Sequence, residues 1–408
     1  MEPSSNDFIK FSGRMDLLPP YLFGRINKIK LDKRKAGIDM IDLAMGNPSD
    51  ATPQPVIDKL CEVVNDPRNH RYSVASGIYN LRREIARYYD RQHGVSLNPD
   101  NEIICTIGSK EGVSHLSLAL LGPGDSVLVP VPAFPIHIYS CVIAGASIVQ
   151  VPIAEDEAFL RSVDTLCRTS LPKPRVIMLN YPHNPTTKTV NIGFFEEAVK
   201  IARRHKLIIV HDFAYGRVTF DGYEAPSFLQ VKGAKEVGVE FGTLSKAYNM
   251  AGWRVGYCAG HPRIIEALGK IKGYYDYGLF QSIQIAAIIA LRDCDDFIAE
   301  QAAVYEKRRD VLCDGLNSIG WDVEKPRASM FVWTRIPEPF RGMGSMDFSI
   351  KLMEEAEVAV SPGIGFGPEG EGFLRIALVE NENRIRQAVR QIKKMSTGRG
   401  NGKVAVAR

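Results

Sequence analysis

The chain has 408 residues, 45% hydrophobic and 24% charged, a balance that gives a folded protein with room for two domains and excludes a largely disordered one. Its net charge is +4, of which the last 13 residues supply +3 through Arg399, Lys403 and Arg408, so the body has no basic face for nucleic acid or an anionic membrane. No apolar run reaches the ~18 residues of a membrane span and the N-terminus does not read as a signal peptide; seven scattered cysteines without CxxC spacing point to a reducing, cytoplasmic setting and to no metal site.

Little regular pattern precedes residues 40–45, an expected short strand that ends at Gly46-Asn47-Pro48. Beyond residue 51, apolar stretches of strand length alternate with amphipathic stretches of helix length. Predicted strands span 102–106, 126–131, 147–151, 176–180, 207–212, 240–244 and 255–259; predicted helices 110–121, 136–144, 193–205 and 262–272 lie among them. Such alternation specifies an α/β fold, a mostly parallel seven-stranded sheet covered by helices, over residues 51–294. Leu121-Gly122-Pro123-Gly124-Asp125 stops one helix and opens a turn. A long helix at 296–319 leads into strands at 329–334 and 373–378 and helices at 346–357 and 382–394. These form a smaller α+β domain, expected to combine residues 1–50 with 295–395, and the tail 396–408 reads as disordered. Ligands in open α/β sheets bind beyond the carboxyl ends of the strands, so the strand-end residues carry the functional argument.

Lys246 is the most informative of them. It follows an apolar strand in Phe241-Gly242-Thr243-Leu244-Ser245-Lys246, where an ammonium is costly to desolvate unless it is paired or used. Schiff-base chemistry with pyridoxal phosphate (PLP) would use it; an ordinary strand-end lysine would lead its charge out to water. Thr106-Ile107-Gly108-Ser109-Lys110 joins a strand to a helix and offers backbone N–H groups and a hydroxyl to a phosphate, although Gly-Ser there is also an ordinary helix cap. Thr243, Ser245 and Arg254 would add two hydroxyls and a fixed positive charge. Asp212 ends another apolar strand; facing a pyridinium nitrogen it would keep that nitrogen protonated, and otherwise it caps the following turn. Tyr215 and Asn184, the latter in the Pro-stiffened loop Asn180-Tyr181-Pro182-His183-Asn184-Pro185-Thr186, are candidates to bond the cofactor's phenolic oxygen. Phe134, in Pro132-Ala133-Phe134-Pro135, is placed to stack on a planar ring or simply to pack.

In order and spacing, Asn184-Pro185-Thr186, Asp212 with Tyr215, Ser245-Lys246, Arg254 and Arg375 resemble the class I/II PLP-dependent aminotransferases of the aspartate aminotransferase fold, fold type I, across nearly the whole chain. The resemblance implies that Lys246 forms the Schiff base and moves the substrate proton. It implies that Asp212 pairs with the pyridinium nitrogen and that Asn184 and Tyr215 bond the phenolic oxygen. Gly108, Ser109, the backbone of Lys110, Thr243, Ser245 and Arg254 would hold the phosphate. Phe134 would stack on the ring, where many relatives carry Tyr or Trp. Arg375 would clamp the substrate α-carboxylate with help from Gly46, Asn47 and Asn184. Tyr21 would lie in a segment that closes over the substrate. Tyr72, and a loop at 274–281, would reach the neighbouring subunit, which implies a homodimer with a shared active site. Segments such as Leu17-Leu18-Pro19-Pro20-Tyr21 and Ser361-Pro362-Gly363-Ile364-Gly365-Phe366-Gly367 resemble bacterial alanine (glutamate–pyruvate) aminotransferases, with LL-diaminopimelate and methionine aminotransferases as neighbouring alternatives. A PLP-dependent β-lyase and a non-catalytic sensor on the same fold stand further off, the sensor because no DNA-binding module is recognisable. Which group would bind a substrate side-chain carboxylate is not legible in the sequence.

Overall fold

The structure is a computed structural model that describes residues 8–20 and 22–397. Its strands are β1 (Ile41–Leu43), β2 (Ile103–Thr106), β3 (Ser126–Val131), β4 (Ser147–Pro152), β5 (Pro174–Asn180), β6 (Ile208–Asp212), β7 (Gly238–Thr243), β8 (Gly256–Gly260), β9 (Phe331–Arg335), β10 (Val358–Pro362) and β11 (Phe373–Ala377). Seven form one sheet in the order β2-β8-β7-β6-β5-β3-β4, parallel throughout except for β8, which runs against both its neighbours. Apolar residues fill both faces, as a sheet covered on both sides requires. Leu128, Ile177, Leu179 and Ile209 pack into one cluster; their alternates Val127, Val129, Val176, Met178 and Val210 pack into another.

The remaining four strands form a second sheet in the order β1-β10-β11-β9, parallel only between β1 and β10. Its own core gathers Phe331, Leu374 and Ile376 with Tyr305, Leu312 and Leu316 of the long helix Asp295–Asn317. Among the described residues, no helix is long and apolar enough to cross a membrane.

Several features depart from the sequence reading, among them β10, which pairs with both β1 and β11 and was not expected as a strand. The first fifty residues contain a helix, Leu22–Lys35, where little pattern was expected. It buries only a thin face, and Lys30, which holds one of those buried positions, turns its ammonium onto Asp42 at 2.7 Å. A charged residue at a core position breaks the apolar period on which helix recognition rests. Ser396 is the last residue of the helix Glu382–Ser396 and not the start of a disordered tail; residues 398–408 lie outside the described residues. The helix expected at 110–121 begins earlier, at Gly108, which places Ser109 and Lys110 in its first turn.

Candidate active site

The carboxyl ends of the parallel strands converge on one cavity of about 660 Å³. Ser109 and Lys110 reach it from the turn after β2, Phe134 from beyond β3, Asn184 from the loop after β5, Asp212 from the end of β6 and Tyr215 from beyond it, Thr243 from the end of β7 and Ser245 and Lys246 from beyond it. Arg254 lines it from the loop before β8, Gly46 and Asn47 from beyond β1, and Arg375 from β11 of the second sheet.

Two glycines let one end of the cavity close up. Gly108 has φ +75°, and a Cβ on it would lie 2.4 Å from Arg254 Nη2. A Cβ on Gly256 would lie 2.7 Å from the backbone nitrogen of Ser109. Only hydrogens at both positions allow the N-terminus of the helix Gly108–Leu120 and the Arg254 guanidinium to share one spot. Arg254 is itself left-handed, φ 58°, and its Nη1 donates to Ala251 O at 3.0 Å. The Thr243 hydroxyl lies 2.9 Å from both Ser245 Oγ and Val255 O, so the two hydroxyls stand side by side, and both line the cavity along with Arg254.

Asp212 is buried. Its Oδ2 lies 3.0 Å from His137 Nε2, while Oδ1 is buried without a hydrogen-bond partner among the described residues. Asn180 Nδ2 donates to Asp212 O at 2.7 Å and Asn180 Oδ1 accepts from the Asn184 N–H at 2.9 Å, which ties the end of β6 to the Asn184 loop. Asn184 Nδ2 lies 3.5 Å from the Tyr215 hydroxyl, whose pKa burial pushes well above the ordinary tyrosine value. Lys246 Nζ donates to Gly46 O at 2.7 Å. Burial, and then the nearby guanidinium groups of Arg375 and Arg254, pull its pKa down from 10.5 to about 8, against a smaller opposing pull from Asp212.

Arg375 is buried between two rings, its Cζ 4.0 Å from the Phe331 centroid and 4.6 Å from that of Phe366. Nη1 donates to Asn184 Oδ1 at 2.8 Å and Nη2 to Ala44 O at 3.2 Å. A guanidinium held between two rings and by these bonds presents a fixed fork.

Tyr72 does not line this cavity. It is 88% exposed and packs on Tyr277, ring centroids 5.1 Å apart. Tyr21 lies outside the described residues. The sequence reading gave no role to His137, although its place in the first turn of the helix Pro135–Ile143, at the end of β3, was a usable signal. Phe331 and Phe366 were not legible, because they meet Arg375 only through tertiary packing. Arg34, Asp42 and Glu380 also line the cavity.

This donor set fits PLP. An unpartnered buried carboxylate oxygen answers a protonated ring nitrogen, the glycine-cleared helix end with two hydroxyls and an arginine answers a phosphate, and a lysine of lowered pKa stands among them. Fold and site together define an enzyme that binds PLP at the strand ends of an α/β sheet. The family model for aminotransferase class I and II matches residues 38–392, and the chain belongs to that family of PLP-dependent aminotransferases. It is 50% identical over 382 residues to the glutamate-pyruvate aminotransferase AlaC of Escherichia coli (strain K12), covering 94% of this chain and 93% of that one. It is 42% identical to the LL-diaminopimelate aminotransferase of Moorella thermoacetica, covering 94% and 97%. A single-mutant form of Thermus thermophilus aspartate aminotransferase superposes with a TM-score of 0.87 at 26% identity, covering 95% and 100%.

Proposed function

We propose that this aminotransferase works as a cytoplasmic homodimer that moves the amino group of alanine to 2-oxoglutarate, giving pyruvate and glutamate. The 50% identity to the Escherichia coli glutamate-pyruvate enzyme carries the choice of substrates. For the division of labour we read residues 51–294 as the cofactor-binding domain and 1–50 with 295–395 as a small domain, each with its own sheet and core cluster.

When bound, PLP supplies an electron sink that acidifies the Cα–H of the attached amino acid. In this reading Lys246 would hold it covalently, and Ser109, the Lys110 N–H, Thr243, Ser245 and Arg254 would hold its phosphate. Phe134 would cover the ring, Asn184 and Tyr215 would bond its hydroxyl oxygen, and Asp212, its carboxylate held by His137, would keep a proton on the ring nitrogen. The Arg375 fork takes the substrate α-carboxylate, with Gly46, Asn47 and Asn184 beside it. The Lys246 amine would take the Cα proton and hold it for return. Its lowered pKa keeps a useful fraction neutral near pH 8. Two substrates use one site in turn, so the kinetics are ping-pong.

Exposed aromatic residues support the dimer. Tyr72, Tyr274, Tyr275 and Tyr277 are 88%, 86%, 64% and 63% exposed, more apolar ring than an isolated subunit ordinarily leaves in water. Tyr72 is then free to reach the phosphate site of the second copy. Unpaired cysteines agree with a cytoplasmic setting: all seven are free, and all but Cys61 are buried.

The test is a half-reaction screen on PLP-loaded protein, following the visible band of the bound cofactor as single amino acids are added. Alanine and glutamate should both discharge it. Discharge by glutamate and diaminopimelate but not alanine would move the enzyme to the neighbouring specificity.

A further inference from the structure

Behind the phosphate-binding turn lies a buried ionic cluster to which the mechanism gives no part. Lys272, fully buried on the helix Pro262–Tyr275, places its ammonium 3.2 and 3.3 Å from the two carboxylate oxygens of Glu111 and 3.1 Å from both of Asp276. His115 Nδ1 lies against Glu111 Oε1 and 3.7 Å from Asp276 Oδ2 without a hydrogen bond among the described residues. Glu111, His115 and Asp276 are arranged as ligands of a cation would be, and the Lys272 ammonium fills that position.

Each end of the cluster grips a different functional segment. Glu111 Oε2 accepts the Ile107 N–H at 2.7 Å, directly before Gly108 and Ser109. Asp276 Oδ1 accepts the Gly278 N–H at 2.6 Å, inside the segment that carries Tyr274, Tyr275 and Tyr277. Gly278 has φ +80° and sits so close to the Tyr72 loop that a Cβ would lie 2.9 Å from Val74 O. Tyr275 covers the other side of the cluster, its ring 5.0 Å from that of His115.

We infer that Glu111, Lys272 and Asp276, with His115, are positioning residues: an ionic strut that holds the phosphate-binding turn of one subunit in register with the tyrosine surface offered to the other. A buried pair is weak evidence for stability as such, since apolar residues of equal volume often serve as well. What an apolar substitute cannot supply is the two directed carboxylate–N–H bonds at the ends. The inference rests on the homodimer reading above, because only in a dimer does the tyrosine surface meet a phosphate site.

The strut is tested on the PLP-loaded protein with Lys272→Met, Glu111→Gln and Asp276→Asn, by measuring the rate of PLP loss to an excess of trapping apo-enzyme and the dimer dissociation constant by sedimentation. Each variant should lose PLP at least tenfold faster than wild type, and Asp276→Asn should do so although it lies outside the cavity. The single-end variants keep the test decisive if Lys272→Met does not fold. A double-mutant cycle of Asp276→Asn with Ser109→Ala should be non-additive in PLP affinity, whereas distant independent sites add. Lowered melting temperatures with wild-type PLP retention, or an additive cycle, would overturn the strut and leave the cluster merely structural. A wild-type protein that sediments as a monomer would instead remove the homodimer reading, an outcome the PLP-affinity cycle does not depend on.

Discussion

Lys246 and Asp212 line the same cavity. Burial and two arginines make the ammonium of Lys246 unfavourable, with a pKa of about 8. Asp212 keeps one oxygen in reserve and gives the other to His137. Two predictions belong here. In the unloaded protein, PLP uptake should rise with pH to a midpoint near 8 and then level, as Lys246 becomes neutral; a midpoint near the ordinary lysine value of about 10.4 would contradict the assignment. The sign for stability follows: the unfolded chain binds this proton more tightly than the folded one, so the unloaded protein gains stability between about pH 8 and 10.5 and carries the full burial cost below that window. His137→Ala removes one hydrogen bond from a buried carboxylate, a loss of about 1.5–3 kcal/mol, so kcat should fall roughly 10- to 100-fold with KM nearly unchanged in steady-state kinetics.

Strand ends do most of the positioning, and one glycine shows how closely. Gly256 opens β8 directly beneath the first turn of the helix Gly108–Leu120. Gly256→Ala would drive a methyl into backbone atoms, with Ser109 N at 2.7 Å and Gly108 C at 2.8 Å. Thermal unfolding should show a loss of about 1–3 kcal/mol, and PLP titration a weaker phosphate anchor. Wild-type values in both would mean that the helix end is not seated as described. Elements of this kind were legible in the sequence because uninterrupted apolar runs and period-3.6 helices leave their signatures in local order, and Lys246, Asp212 and Asn184 stand at the ends of those runs. The helix Leu22–Lys35 was not, since buried Lys30 sits where the period asks for an apolar residue. The ring sandwich around Arg375 was not either, because β9 and the Phe366 turn meet β11 through packing that no local pattern encodes.

The site exists only where the two sheets meet. Lys246 comes from the large one, Arg375 from the small one, and the Gly46 carbonyl that receives the lysine follows β1. Side chains of the long helix Asp295–Asn317 fasten this arrangement. Both terminal nitrogens of Arg308 donate to Asp50 at 2.7 Å, while Gln301 bridges Asp50 and Asn249, three residues beyond Lys246. The N-terminal segment is thereby tied to the loop that carries Lys246. The most direct measurement is hydrogen exchange at the alanine Cα, followed by NMR in D2O with PLP-loaded protein and no 2-oxo acid. Wild type should replace the Cα proton by deuterium, and Lys246→Ala should leave it in place. Exchange at the wild-type rate without the lysine, or no exchange of alanine by the wild-type enzyme, would contradict the account.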